Sequence, residues 1–300
     1  MLRWTPSCPC LKTCPLWCNT QQYRRFRHTD GGLLLPNCLL IGARGFLGRQ
    51  IDVILRDSGI DVVGTTRKLA AGDPSSWIQY EFPNEQIGHR IRKRRFDFSI
   101  IAAKLARANI DANPPRGTEA LPFDELFGEL NRCTRSRITY ISSDAVFSGE
   151  RGHYLETDEP DAFEAYGSMQ AIAERSLTTH APNHLIVRSS FLFDVDDFRR
   201  DRRLSQLHRA LTSRTQFFGD TNVYKSPVRV ADAARAVVER TLAGQSGIVH
   251  VPGRRQSIYE FFECGLEPLG LTQFHQYLVA RKNDRSSDTS LRSVFASVSP

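Results

Sequence analysis

From residue 36 to residue 68 the chain alternates two kinds of apolar pattern. Cys38 to Ile41 form a short continuous apolar run, and Leu47, Ile51, Ile54 and Leu55 then recur on one helical face; the stretch DVVGTT follows at 61–66. This reads as strand, tight turn, amphipathic helix and strand, one βαβ unit. Further strands are predicted in SWIQYEF (76–82), FDFSIIAA (96–103) and RITYISSD (137–144), with a helix over DELFGELNRC (124–133) before the last of them. Strands alternating with helices, without internal repeats, predict an α/β fold: a Rossmann-like, doubly wound parallel sheet.

The turn carries the first chemistry. Glycines stand at 42, 45 and 48. They let a backbone approach pyrophosphate oxygens, and the helix start beyond them offers free N–H groups and a positive dipole end. Gly42, Arg44, Gly45, Phe46, Leu47 and Gly48 are therefore expected to cradle a dinucleotide. An acid at the end of the second strand would accept hydrogen bonds from an adenosine ribose, but Thr65, Thr66, Arg67 and Lys68 stand there. Arg67 and Lys68 either suit the 2′-phosphate of NADP (NADPH), with Arg44 within reach of the same group, or form a solvent-facing loop. Ligands of such sheets sit at the carboxyl ends of the strands, which adds Ala102, Ala103, Lys104, Ser142 and Ser143 to the expected cleft.

Composition narrows the class without changing it. The 300 residues are 40% hydrophobic and 24% charged, enough for one large α/β domain with a small lobe. More than half of the net charge of +7 comes from Arg3, Lys12, Arg24, Arg25 and Arg27 against Asp30 alone. The runs RKRR (92–95) and RRDRR (199–203) read as solvated faces, so nucleic acid ranks last among partners. No apolar run is long enough for a membrane-spanning helix, and a cytoplasmic protein is expected. Cys8, Cys10, Cys14 and Cys18 lack the spacing of a zinc site, and Cys38, Cys133 and Cys264 read as buried thiols, so no metal is expected. The leader, 1–35, is set apart as a disordered extension.

The segment YISSDAVFSGERGHYLETDEPDAFEAYGSMQAIAERSL (140–177) closely resembles the catalytic segment of the extended short-chain dehydrogenase/reductases of the dTDP-4-dehydrorhamnose reductase type. In that group a Ser-Thr-Asp or Ser-Ser-Asp strand end, a VF.G loop and an E.D.P stretch precede Tyr-Gly-x-x-Lys on a helix. The similarity continues through LIVRSSFLF (185–193), DTNVYKSPVRVADAARAV (220–237) and GIVHVPGRRQSIYEF (247–261). The resemblance implies a dinucleotide-binding domain over 36–180 that includes the catalytic segment. Residues 181–300 would supply the remaining sheet elements and a small C-terminal substrate-binding lobe. It further implies NADPH-dependent reduction of a 4-keto nucleotide sugar, with Tyr166 as proton donor and Ser143 as hydrogen-bond partner of the carbonyl. VYKSPVRV and the arginines near 199–203 become candidate diphosphate contacts. A non-reductase relative, the regulatory β subunit of methionine adenosyltransferase, shares YISSD, so a non-catalytic subunit that binds NADP or a sugar nucleotide is the alternative. The partners then expected are a nucleotide sugar and a second copy of the chain or a regulated protein.

Gln170 departs from that pattern, as do Ala145, where many members have tyrosine, and the missing counterpart of the family's asparagine. Residues i and i+4 share a helix face, so residue 170 should stand beside Tyr166. A lysine there hydrogen-bonds the nicotinamide ribose and favours tyrosinate by its charge. An amide keeps only the first role. A charge about 5 Å away at an effective dielectric near 20 contributes about 3 kcal/mol, roughly 2 pKa units on a phenol. Lys104 is the one candidate to replace that charge.

Overall fold

The computed structural model describes residues 35–91, 94–105 and 120–295. The leader, but for Leu35, lies outside the described residues, and so do its four cysteines and Arg92 and Lys93 of the basic run. In chain order the elements are β1 (Asn37–Ile41), α1 (Phe46–Asp57), β2 (Asp61–Thr66), β3 (Ile78–Gln79), α2 (Ile87–Ile91), β4 (Phe96–Ile101), α3 (Leu121–Cys133) and β5 (Thr134–Ser143). A 3-10 turn (Asp144–Val146) leads to α4 (Ala165–His180), β6 (His184–Ser189), β7 (Leu192–Phe193), α5 (Arg202–Thr212), β8 (Phe217–Asp220), β9 (Val223–Lys225) and β10 (Val228–Arg229). Then come α6 (Val230–Leu242), β11 (Gly247–Val251), β12 (Gln256–Ser257), α7 (Ile258–Gly265), β13 (Leu278–Arg281) and β14 (Ser287–Asp288).

Seven parallel strands form the central sheet in the order β11-β6-β5-β4-β1-β2-β3. The chain winds outward from β1 in one direction and, from β4, in the other. Ligands bind at such a switch point, above the ends of β1 and β4. The strands are apolar on both faces because helices cover both, as in Cys38–Ile41, all buried. One face packs Leu47, Ile51 and Leu55 of α1 and Ala233, Ala234 and Val237 of α6. The other packs Ile87, Phe123, Phe127, Ala173 and Leu177 of α2, α3 and α4. The predicted Rossmann-like architecture is the observed one.

Two expectations need correction. The strand expected over 76–82 shrinks to β3, paired only through Thr65↔Ile78 and Thr66↔Gln79 at the sheet edge. Trp77 turns inward, and its Nε1 would lie 2.4 Å from a Cβ on Gly64, so its ring packs over β2. Cys38 and Cys133 are buried as expected, but Cys264 is exposed, because α7 turns Phe261, Phe262 and Gly265 inward.

Outside the sheet, α5, α7 and the β8–β13 pair enclose a separate apolar cluster of Leu204, Leu207, Leu211, Phe261, Phe262 and Leu278. Strand β9, flanked by β12 and β14, carries Lys225 to Asp144 just past the carboxyl end of β5. Among the described residues no helix is long and apolar enough to cross a membrane.

Candidate functional site

The glycine turn is a close-packed junction. Gly42 has φ +88°, a conformation side chains disfavour, and a Cβ there would lie 2.8 Å from Ala103 N. A Cβ on Gly48 would lie 2.1 Å from Gly42 O. Gly42 N–H donates to Thr65 Oγ1 (3.1 Å), Ala43 N–H to Thr65 O (3.0 Å) and Gly45 N–H to Gly42 O (2.8 Å). The turn is thereby pinned to the ends of β2 and β4, and it brings together Gly42, Gly45, Gly48 and Ala103, with Ala102 beside them in sequence. Arg67 and Lys68 are exposed just past β2. Arg44, also exposed, is ion-paired with Asp73. That carboxylate is held below its usual range, first by the Ala70 N–H and then by Arg44. Of the expected cations at this end, one thus has an anionic partner already. Lys104 lies exposed after β4.

At the end of β5, Ser143 caps the 3-10 turn. Its Oγ accepts from Ala145 N–H (3.2 Å) and donates to Asp144 Oδ1 (3.1 Å). Asp144 is buried, and its Oδ2 accepts from Ser190 Oγ (2.9 Å), Lys225 Nζ (3.0 Å) and Thr289 Oγ1 (2.9 Å). Lys225 Nζ also reaches Thr289 Oγ1 at 2.6 Å. A carboxylate kept in the interior needs such compensation. Ser143 therefore points its hydroxyl at Asp144. Lys225, from the stretch taken as a candidate diphosphate contact, is the counter-ion of this buried acid. The acid itself was in view as the last letter of SSD, but its partners are 46, 81 and 145 residues away.

Helix α4 comes to this turn through a missing side chain. A Cβ on Gly167 would lie 1.9 Å from Ala145 O, so only glycine lets the helix seat on the loop that follows Ser143, with half-buried Tyr166 alongside. Farther along, Glu174 receives Arg188 of β6 (Nη2–Oε2 2.7 Å, Nε–Oε1 3.0 Å) with both side chains buried. Between these two fixed points Gln170 is 3% exposed. Its Nε2 donates to Tyr166 Oη at 3.0 Å, which realises the expected i, i+4 adjacency. Its Oε1 accepts from Tyr140 Oη. Burial first, then the neighbouring Tyr166 and Glu174, pushes the Tyr140 phenol well above its ordinary pKa, so it stays protonated. Tyr140 was not among the expected site residues; inward-facing tyrosine on a central strand is ordinary core, and only the fold shows what its hydroxyl meets. Among the described residues no group of three or more His, Cys, Asp or Glu side chains is placed to hold a metal ion.

The family model described as RmlD substrate binding domain matches residues 36–264. A probable low-salt glycan biosynthesis reductase, Agl14, of Haloferax volcanii is 27% identical over 70% of this chain and 72% of its own length. The methionine adenosyltransferase 2 subunit beta of Danio rerio is 28% identical over 76% of this chain and 72% of its own. A solved structure described as a hypothetical dTDP-4-dehydrorhamnose reductase from Sulfolobus tokodaii superposes with a TM-score of 0.66 at 25% identity, covering 85% of this chain and 91% of that one.

Proposed function

The chain belongs to the RmlD substrate binding domain family, and on that premise we propose that it is an NADPH-dependent reductase of a 4-keto nucleotide sugar, with Tyr166 as acid. The observation that carries this reading is the 3.0 Å bond from Gln170 Nε2 to Tyr166 Oη, on a helix seated against the Ser143 turn at the carboxyl edge of the sheet. A position that has lost its lysine still has a donor aimed at the phenol oxygen.

The glycine turn suits a dinucleotide. Its close-packed glycines leave no side chain between backbone and phosphate, and α1 begins directly after Gly45. Arg67 and Lys68 support NADP over NAD. The chemistry such a cofactor supplies, when bound, is a hydride for the keto carbon. In this reading Ser143 turns from Asp144 to hydrogen-bond the carbonyl oxygen, and Lys225 keeps the charge of Asp144 balanced while it does so. Tyr166 gives its proton to the developing alkoxide, yielding a secondary alcohol and a tyrosinate. The Gln170 amide supports that anion by one hydrogen bond and no charge.

A second reading, a non-catalytic NADP- or sugar-nucleotide-binding subunit, is favoured by that lost charge and by the likeness to a methionine adenosyltransferase β subunit. NADPH oxidation against dTDP-, UDP- and GDP-4-keto sugars separates the two. Turnover is expected, falling by about 10²-fold or more in Tyr166→Phe, as for loss of a general acid. Gln170→Lys is expected to raise the rate about ten-fold, since only part of the Coulombic gain passes to the transition state. NADPH binding without turnover, with activity arising only in Gln170→Lys, would establish the subunit reading instead.

A further inference from the structure

We infer that Tyr140 is a positioning residue for Tyr166: through Gln170 it fixes which end of the amide faces the Tyr166 phenol, and so turns the Tyr166 hydrogen away from the helix interior. The inference rests on the reading of Tyr166 as the acid, but its geometry does not depend on turnover.

A glutamine amide has one accepting and one donating end, and shape barely tells them apart. What selects the orientation here is Tyr140. Its side chain is fully buried within the core beneath α4, beside Phe127. Among the described residues its hydroxyl has one hydrogen-bond partner, Gln170 Oε1. A buried hydroxyl left without an acceptor is costly. The carbonyl end of Gln170 must therefore face Tyr140, which leaves Nε2 facing Tyr166 Oη. Because Tyr140 stays protonated, it keeps donating.

The direction matters for the chemistry. In the observed orientation Tyr166 Oη accepts from the amide, so its own hydrogen points elsewhere. With the amide reversed, Oε1 would draw that hydrogen to itself, and Tyr166 would have to break a buried bond before acting as an acid. The chain Tyr140→Gln170→Tyr166 thus passes donor character outward from the core, a role that lysine, which only donates, does not need from its neighbour. Gln170 and Tyr140 act as a pair, and the substitution at 170 makes the tyrosine at 140 matter.

The test uses the full chain with NADPH. In isotope-labelled native protein the Gln170 side-chain amide should give a resolved ¹H–¹⁵N pair, slow to exchange with solvent. In Tyr140→Phe, which keeps the ring, that protection should be lost. The kcat should fall about five-fold, the worth of one neutral hydrogen bond, with KM and NADPH affinity unchanged. Gln170→Glu is the second variant. It leaves Tyr140 an acceptor but removes the N–H donor, and kcat should fall about ten-fold or more although Tyr140 is intact. A Tyr140→Phe protein whose Gln170 amide and kcat match the native values would overturn the inference and reduce Tyr140 to core packing, with the reductase reading untouched. If the native chain turns over no 4-keto sugar while Tyr140→Phe still releases the amide, the positioning stands and the reductase reading falls.

Discussion

On the β1 side of the sheet the cleft wall is shaped by atoms that are missing. Gly42 and Gly48 leave room that a Cβ would close to 2.8 Å from Ala103 N and 2.1 Å from Gly42 O. On the β5 side the wall is held by polar groups buried together: Asp144 with Lys225 and Thr289, Gln170 with two tyrosines, and Glu174 with Arg188. The first wall depends on positions that carry no side chain. The second is a set of matched donors and acceptors in which a change at one position alters the worth of another. The turn at 42–48 thus depends on side chains being absent, whereas residue 170 depends on which partners it meets. In the polar wall each end of the Gln170 amide has a partner, Nε2 at Tyr166 and Oε1 at Tyr140.

The contrast breaks most forcibly at Glu174. Replacing it with alanine leaves Arg188, 1% exposed, as an uncompensated buried charge between α4 and β6. Urea unfolding of Glu174→Ala should show a loss of about 3–5 kcal/mol, as for a buried pair broken on one side. A loss below about 1 kcal/mol, the scale of exposed pairs, would show that the polar wall is not braced there. The steric wall should respond less in stability and more in binding. Gly48→Ala forces the turn open against Gly42 O, with an expected cost of about 1–3 kcal/mol as for other overpacked sites. NADPH affinity, followed by its fluorescence, should drop with it. Unchanged affinity would mean that the turn does not hold the cofactor.

What could be read from the sequence follows the same division. The glycine turn, α1 and β2 are consecutive in the chain, so apolar spacing placed them to within a residue or so. The adjacency of Tyr166 and Gln170 follows from helical geometry alone. The partners of Asp144, and Tyr140 as the partner of Gln170, join segments from separate elements, and no local periodicity encodes which buried hydroxyl meets which amide. The charge of Lys225 is visible in the sequence, while its buried counter-charge, Asp144, is not recognisable as its partner. The segment 76–82 forms only a two-residue edge strand; alternation cannot tell a longer strand from a segment whose Trp77 folds back over Gly64.

The smallest effect concerns the brace behind the polar wall, where the segment at 290–294 crosses the sheet edge. Glu156 accepts from Ser293 Oγ (2.5 Å), Val294 N (3.0 Å) and His250 N (3.0 Å). Burial works against its carboxylate, but these hydrogen bonds outweigh it and hold the pKa below the ordinary 4.5. His250 Nδ1 faces Arg292 O at 2.8 Å and so carries the hydrogen, while Nε2 is buried with no partner among the described residues. Burial opposes a charged ring here more strongly than the Arg292 carbonyl and Glu156 favour one, and it depresses His250 below 6.5. Both groups bind protons less readily folded than unfolded, so both favour the fold above their ordinary values and lose that contribution as pH falls through the depressed ones. Stability should therefore decline in two stages on acidification, the first setting in below 6.5 and the second below 4.5. Unfolding midpoints in urea across that range read both stages. In His250→Asn, which keeps an N–H for Arg292 O but cannot take a proton, the first stage should vanish and the second remain. If His250→Asn leaves the first stage in place, the acid response belongs to another group and the brace is not what titrates.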